Sequence, residues 1–317
     1  MIGTMENNTN PSAPKGLLRQ PRKAVSGLVY SGTIIGMVVI SLLFAVTLAA
    51  VSRAIGVETS SFSQTDWYKY LSYLLYQFVY IGVIVAFAVV YKNRPQEFGY
   101  RKTRLRYFIL ALVMGFGLLF GLNWVNNLFA LAIEKMGGKI PQTTLPSLAG
   151  VGIAGVLFVV AVLPAVLEET LFRGIILEGI KDIGTVAACL LGGLLFSLFH
   201  QNPMQTVYQF ICGTAFTLLA IRADSVLPAI FAHFANNAVI IFDERFGFLS
   251  RISDTGWIVL YVLAGVALLA TLAYLIFFDK NNRRKREGAI QPFILFSLAG
   301  IIINGIMWVS LLANYFV

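Results

Sequence analysis

Nine stretches of the chain are apolar enough, over enough residues, to be read as crossings of a lipid bilayer. They are Leu28–Val51, Leu71–Val90, Phe108–Ile133, Ala149–Arg173 running on toward Ile180, Thr185–Phe199, Gln205–Ile221, Val226–Phe242, Trp257–Phe278 and Pro292–Phe316. A helix needs about 20 apolar residues to cross ~30 Å of hydrocarbon, so the fifth, sixth and seventh are short. Composition agrees, because only 12% of the residues are charged against about 25% in a soluble domain. In lipid the backbone must satisfy its own hydrogen bonds, and segments of this length do so as helices. The expected fold class is all-α: a polytopic integral membrane bundle of eight to nine helices. The first span is longer than the 7–15 apolar residues typical of a signal peptide, so it reads as a retained anchor.

Charge sets the expected orientation. With nine alternating spans, seventeen basic residues fall on one side, among them Lys92, Arg94, Arg101, Arg104, Arg106, Arg222 and the run Arg283–Arg286. Six fall on the other: Arg53, Lys69, Lys135, Lys139, Arg245 and Arg251. By the positive-inside rule the N-terminus is cytoplasmic and the C-terminus external. The net charge of +9 is then topological, and no compact basic domain exists to bind nucleic acid. The chain divides into a polar, disordered cytoplasmic tail (1–23), N-terminal helices (24–144), a central core (145–245) and C-terminal helices (246–317). Cys189 and Cys212 lie in apolar runs and read as small core residues.

Inside the apolar segments, ionisable groups collect at three places only. The fourth span carries Glu168, Glu169 and Arg173, the fifth ends at His200, and the seventh has His233 near its middle. The chain has just two histidines, and both belong to this set. A charge at the bilayer centre costs about 2.5–3.5 kcal/mol on the lenient insertion scale, so such residues are functional candidates by default. Glu169 and Arg173 are four apart and can pair along one helix face. Glu168 points about 100° away and is free to face another helix. Phe196 and His200 share a face, as do His233 and Asn237, with Asn236 as the weaker asparagine candidate. Counted at 1.5 Å per residue, Glu168 lies about 18 Å, His233 about 10 Å and His200 about 22 Å from the inner ends of their helices. His200 fits least well.

A carboxylate and two imidazoles support two chemistries. Glu168, His200 and His233 can hold a divalent metal such as zinc, leaving a position open for water. Alternatively Glu168 acts as general base without metal, His200 assists proton transfer, and His233 with Asn237 stabilises the oxyanion. The sequence leaves both open. It contains no H-E-x-x-H, no G-x-S-x-G and no pair of Asp residues in the spans, so other intramembrane protease designs are absent.

Glu168-Glu169-Thr-Leu-Phe-Arg173 resembles the E-E-x-x-x-R motif of the CAAX-protease and bacteriocin-processing (CPBP) intramembrane proteases. Phe196-Ser-Leu-Phe-His200 resembles that family's F-x-x-x-H motif, and His233-Phe-Ala-Asn-Asn237 its H-x-x-x-N motif. Each is weak alone; the ordered triple on successive apolar segments is specific. It covers about Leu145–Phe242, and the last two spans look like an extension. The resemblance implies a peptidase with its site between the fourth, fifth and seventh helices. Glu168 would be the catalytic glutamate, His200 its partner on water or metal, His233 and Asn237 the ligand or oxyanion groups, and Glu169, Arg173 and Phe196 supporting residues. It implies peptide or lipid-modified peptide substrates, as in prenylated-tail trimming or bacteriocin processing and self-immunity, and a place in the cell membrane. The alternatives are a non-catalytic immunity or scaffold protein and an ion-coupled transporter. The transporter would be expected to show paired broken helices in inverted repeats, which the sequence lacks.

Overall fold

The computed structural model describes residues 22–91, 95–140, 144–286 and 288–316. The tail expected over 1–23 therefore lies outside the described residues up to residue 21. Nine helices follow the nine apolar segments: α1 (Arg22–Ile55), α2 (Asp66–Tyr91), α3 (Leu105–Lys135), α4 (Gly152–Ile180), α5 (Thr185–Phe199), α6 (Thr206–Ala223), α7 (Leu227–Phe246), α8 (Asp254–Phe278) and α9 (Gln291–Asn314). Among the described residues there is no strand, only an isolated bridge between Ile183 and Arg286.

Seven of the nine are long and apolar enough to span a membrane; α5 and α7 are not. The expectation of eight to nine spans is corrected to that extent. At 15 residues, α5 rises about 22 Å and stops short of the ~30 Å hydrocarbon thickness. In α7 the apolar run is diluted by His233, Asn236, Asn237, Asp243, Glu244 and Arg245. The chain is an integral membrane protein whose outer helices turn Leu42, Val46, Val89, Val266 and Leu269 outward, each at least 60% exposed. Such a surface suits lipid.

Among the described residues the connecting segments sort into two groups. At one end Lys23 pairs with Asp182 at 2.7 Å, Arg101 with Asp224 at 2.7 Å, and Arg106 with Asp279 at 3.3 Å. There too Val226 N–H donates to Gly99 O and Thr185 N–H to Arg284 O. At the other end Lys69 donates to Leu145 O, Ser147 N–H to Asp66, and Lys139 N–H to Tyr315 O. The helices therefore alternate in direction, and the basic segments that the sequence places together do meet.

Where lipid gives no hydrophobic drive, helices join through small residues and polar contacts. Gly117 shows the first: a methyl group there would sit 2.7 Å from Leu268 Cβ and 2.8 Å from its backbone nitrogen. Only hydrogen lets α3 and α8 approach this closely. Ser31 shows the second, donating to Phe296 O at 2.7 Å and accepting from Gly300 N–H at 3.1 Å, which joins α1 to α9.

The fourth helix positions the site, and it is irregular. Leu157–Val162 and Thr170–Ile176 are π-helical, on either side of a short α-helical piece, Leu163–Glu169. Such wide turns are uncommon and concentrate at functional sites. They carry both glutamates on the segment between them.

Candidate active site

Two buried carboxylates stand side by side on α4 and face different partners. Glu169 is fully buried, and its Oε1 accepts from Arg173 Nη1 at 2.9 Å and from His233 Nδ1 at 3.0 Å. Arg173, also buried, places Nη2 on Gly213 O at 3.0 Å and its guanidinium 4.5 Å from the centre of the Phe196 ring. The expected Glu169–Arg173 pair is therefore formed. The sequence reading gave Glu169 no histidine, yet His233 turns to it. The carboxylate accepts, so His233 Nδ1 carries the proton, which leaves Nε2 free of one in the neutral ring. A carboxylate that fixes a histidine tautomer in this way is a common support of catalytic and metal-binding imidazoles.

Glu168 faces His200. Oε2 of Glu168 lies 3.9 Å from His200 Nε2, too far for a hydrogen bond and suited to a third atom shared by both. The direction of His200 is fixed from behind: its Nδ1 lies 2.8 Å from Phe196 O. A carbonyl only accepts, so Nδ1 holds the proton and Nε2 offers its lone pair toward Glu168. Phe196 packs edge-on to His200 with ring centres 4.6 Å apart, the contact expected from their spacing. The same ring lies 6.1 Å from His233. One buried phenylalanine thus contacts both histidines and the arginine. Side-chain exposures of 20% for His200 and 11% for Glu168 leave this pair the accessible part of the cluster.

Asn237 is turned to the backbone of α4. Its Nδ2 donates to Val160 O at 3.1 Å. Pro164, four residues on, has no N–H to offer that carbonyl, and the asparagine takes its place. Asn237 Oδ1 accepts from Asn236 at 3.3 Å, and Asn236 Oδ1 accepts from Tyr208 OH at 3.0 Å. The chain of bonds runs from α6 through α7 to the π-helical stretch before Glu168. The sequence reading, weighing spacing alone, gave Asn236 a minor part and did not find Tyr208.

Tyr100 was missed as well. Its hydroxyl lies 2.5 Å from Thr170 Oγ1, which donates to Val166 O. Burial pushes the Tyr100 pKa up, so the phenol stays protonated and donates just after Glu169. A tyrosine in a connecting segment gives no periodic signal that marks it.

Of the three donors expected to hold a metal, Glu168, His200 and His233, the last gives Nδ1 to Glu169 and keeps Nε2 unprotonated in the neutral ring. Among the described residues no group of three or more His, Cys, Asp or Glu side chains is arranged to hold a metal. Two donors, Glu168 Oε2 and His200 Nε2, do face each other. Cys189 and Cys212 are buried and free, as expected of core residues.

Residues 150–239 match the family model of the Rce1-like type II CAAX prenyl endopeptidases. This core belongs to the CAAX-protease family. The match spans α4 to α7 and so contains every residue of the cluster from Glu168 to Asn237. A CAAX-protease core is a membrane peptidase core, in keeping with the polytopic helical fold. No curated protein and no solved structure matches the chain.

Proposed function

We propose that the protein is an intramembrane endopeptidase in which Glu168 and His200 activate a water molecule. The observation that carries this is the facing of Glu168 Oε2 and His200 Nε2 across 3.9 Å, with the other imidazole nitrogen engaged behind. Water held between them loses a proton to Glu168 as its oxygen attacks the scissile carbonyl carbon. The same proton then passes to the departing amide nitrogen, and the C–N bond breaks. Glu169 and Arg173 hold His233, and Asn237 braces α4; none of these need touch the substrate to act. Glu168 Oε2 and His200 Nε2 are also the atoms that would hold a divalent ion such as zinc, whose chemistry would be to polarise water and carbonyl.

The substrate class is a peptide with a lipid-modified end, such as a prenylated C-a-a-X tail, or a bacteriocin-like peptide. A site buried among helices and flanked by lipid suits a chain delivered by its own lipid anchor. The basic end is cytoplasmic, the C-terminus is external, and the membrane is the cell membrane.

The test is purified protein in lipid nanodiscs with a farnesylated C-a-a-X reporter peptide and a bacteriocin-like leader peptide. Glu168→Ala should abolish cleavage while the protein stays folded and inserted. Full activity in that variant would sink the assignment. A chelator added to the wild type separates the two chemistries: unchanged cleavage supports water activation by side chains alone, and loss restored by zinc supports the metal.

A further inference from the structure

The family match ends at residue 239, and α9 begins 52 residues later, at Gln291. Yet α9 reaches the turn that follows His200. With 15 residues α5 rises about 22 Å, so a bilayer of ~30 Å hydrocarbon that starts at its basic end takes in that turn (200–205). Non-helical backbone at such depth is stable only where protein satisfies it. Gln201 adds strain, since its φ is +50°, a conformation non-glycine residues adopt sparingly and only when held.

Residues of α9, with Tyr315 just after it, supply the hold. Gln201 Nε2 donates to Asn304 Oδ1 at 2.8 Å, and Asn304 Nδ2 donates to Tyr30 OH at 2.8 Å. Tyr30 OH in turn reaches Leu195 O on α5 at 3.5 Å. One turn on, Trp308 Nε1 donates to Thr206 Oγ1 at 2.7 Å, and Thr206 Oγ1 to Asn202 O at 3.0 Å. Tyr315 OH donates to Asn202 Oδ1 at 3.4 Å. Asn304 is fully buried, while Ile302 and Ile306 on the same helix are 51% and 60% exposed. Depth agrees: Asn304 lies 13 residues into α9, about 20 Å from the basic end, against about 22 Å for His200 along α5.

We propose that the polar face of α9, through Asn304 and Gln201, is a positioning device for His200. This rests on the reading of Glu168 and His200 as the reactive pair. The imidazole is fixed by its bond to Phe196 O, but its own backbone is continuous with strained Gln201. Releasing Gln201 lets the His200 backbone relax and moves Nε2 away from Glu168. A misplacement of about 1 Å at a reacting group can cost about a hundredfold in rate.

The experiment uses the full chain in nanodiscs with ¹⁵N-labelled histidine. Two histidines give two sets of ring signals, assigned by a His233→Gln sample. Gln201→Ala and Asn304→Leu should each shift the His200 ring signals and leave those of His233 in place. Each should lower kcat on the farnesylated reporter by about tenfold to a hundredfold, with KM within about twofold. Ile306→Ala, on the lipid side of α9, should change neither. Gln201 is partly exposed and makes one long-range side-chain bond, so its variant carries the test if Asn304→Leu fails to fold. The proposal is overturned if His200 signals stay put in the folded variants, or if both histidines shift alike. If the wild type cleaves neither peptide, the peptidase reading fails while the ring signals still decide the positioning role.

Discussion

Among the described residues carboxylates are buried in two places and treated differently. At the basic end, Asp279 accepts from Tyr107 OH at 2.9 Å and Arg106 at 3.3 Å through Oδ2, and from Asn281 N–H at 3.0 Å through Oδ1. Both oxygens have partners. In the middle of α4, Glu168 Oε2 and Glu169 Oε2 have none among the described residues. An unpartnered buried polar atom costs about 1–3 kcal/mol, more when charged. A purely structural cluster would be expected to resemble Asp279. The difference teaches that the α4 pair keeps acceptor capacity for something other than its own fold, and Glu168, the more exposed of the two, is where it can be used.

The comparison can be broken by exchange of partners. The largest effect is expected at Glu169. Glu169→Ala leaves Arg173 buried without its carboxylate and His233 without its acceptor, a loss of about 3–5 kcal/mol by analogy with broken buried pairs. Denaturant titration of the purified protein would measure it, and a loss below about 1 kcal/mol would show that Glu169 is no structural keystone. Asp279→Ala should cost about 1–3 kcal/mol through unpaired Tyr107 and Arg106, with kcat on the reporter unchanged in the folded fraction. A fall in kcat would erase the distinction between the two clusters. Asn237→Ala should be milder in stability, about 1 kcal/mol for the freed Val160 carbonyl, yet should slow cleavage through displacement of α4. The smallest change is expected for Val266→Ala on the lipid face of α8, within about 0.5 kcal/mol as for other surface changes; a large one would mean that this face packs against a partner.

Much of this was legible in the residues. The nine apolar segments became nine helices, and the basic loops met at one end. Glu169 and Arg173 paired because i,i+4 spacing on a helix leaves little choice, and Phe196 met His200 for the same reason. What the sequence hid is set by packing between distant elements. Glu169 rather than Glu168 took His233 because the register of α7 against α4 depends on two wide turns that a 3.6-residue period does not anticipate. Asn237 went to a carbonyl freed by Pro164, visible only once the two helices are side by side. The C-terminal helices read as an extension because Asn304 and Trp308 lie about a hundred residues from the turn they hold, and no local pattern announces such a pairing.

The wide turns of α4 also bear on how such a site can change over time. A π-helical turn is an α-helix with one residue to spare. Loss of a single residue between Leu157 and Val162 would remove the wide turn and leave a regular helix there, its flanking pieces facing nearly as before. The change would fall locally, on the stretch whose Val160 carbonyl Asn237 holds. A wide turn thus confines the gain or loss of one residue to a single stretch of α4, so a deletion there should disturb the Asn237–Val160 contact while the two glutamates keep their facing and the bundle its packing.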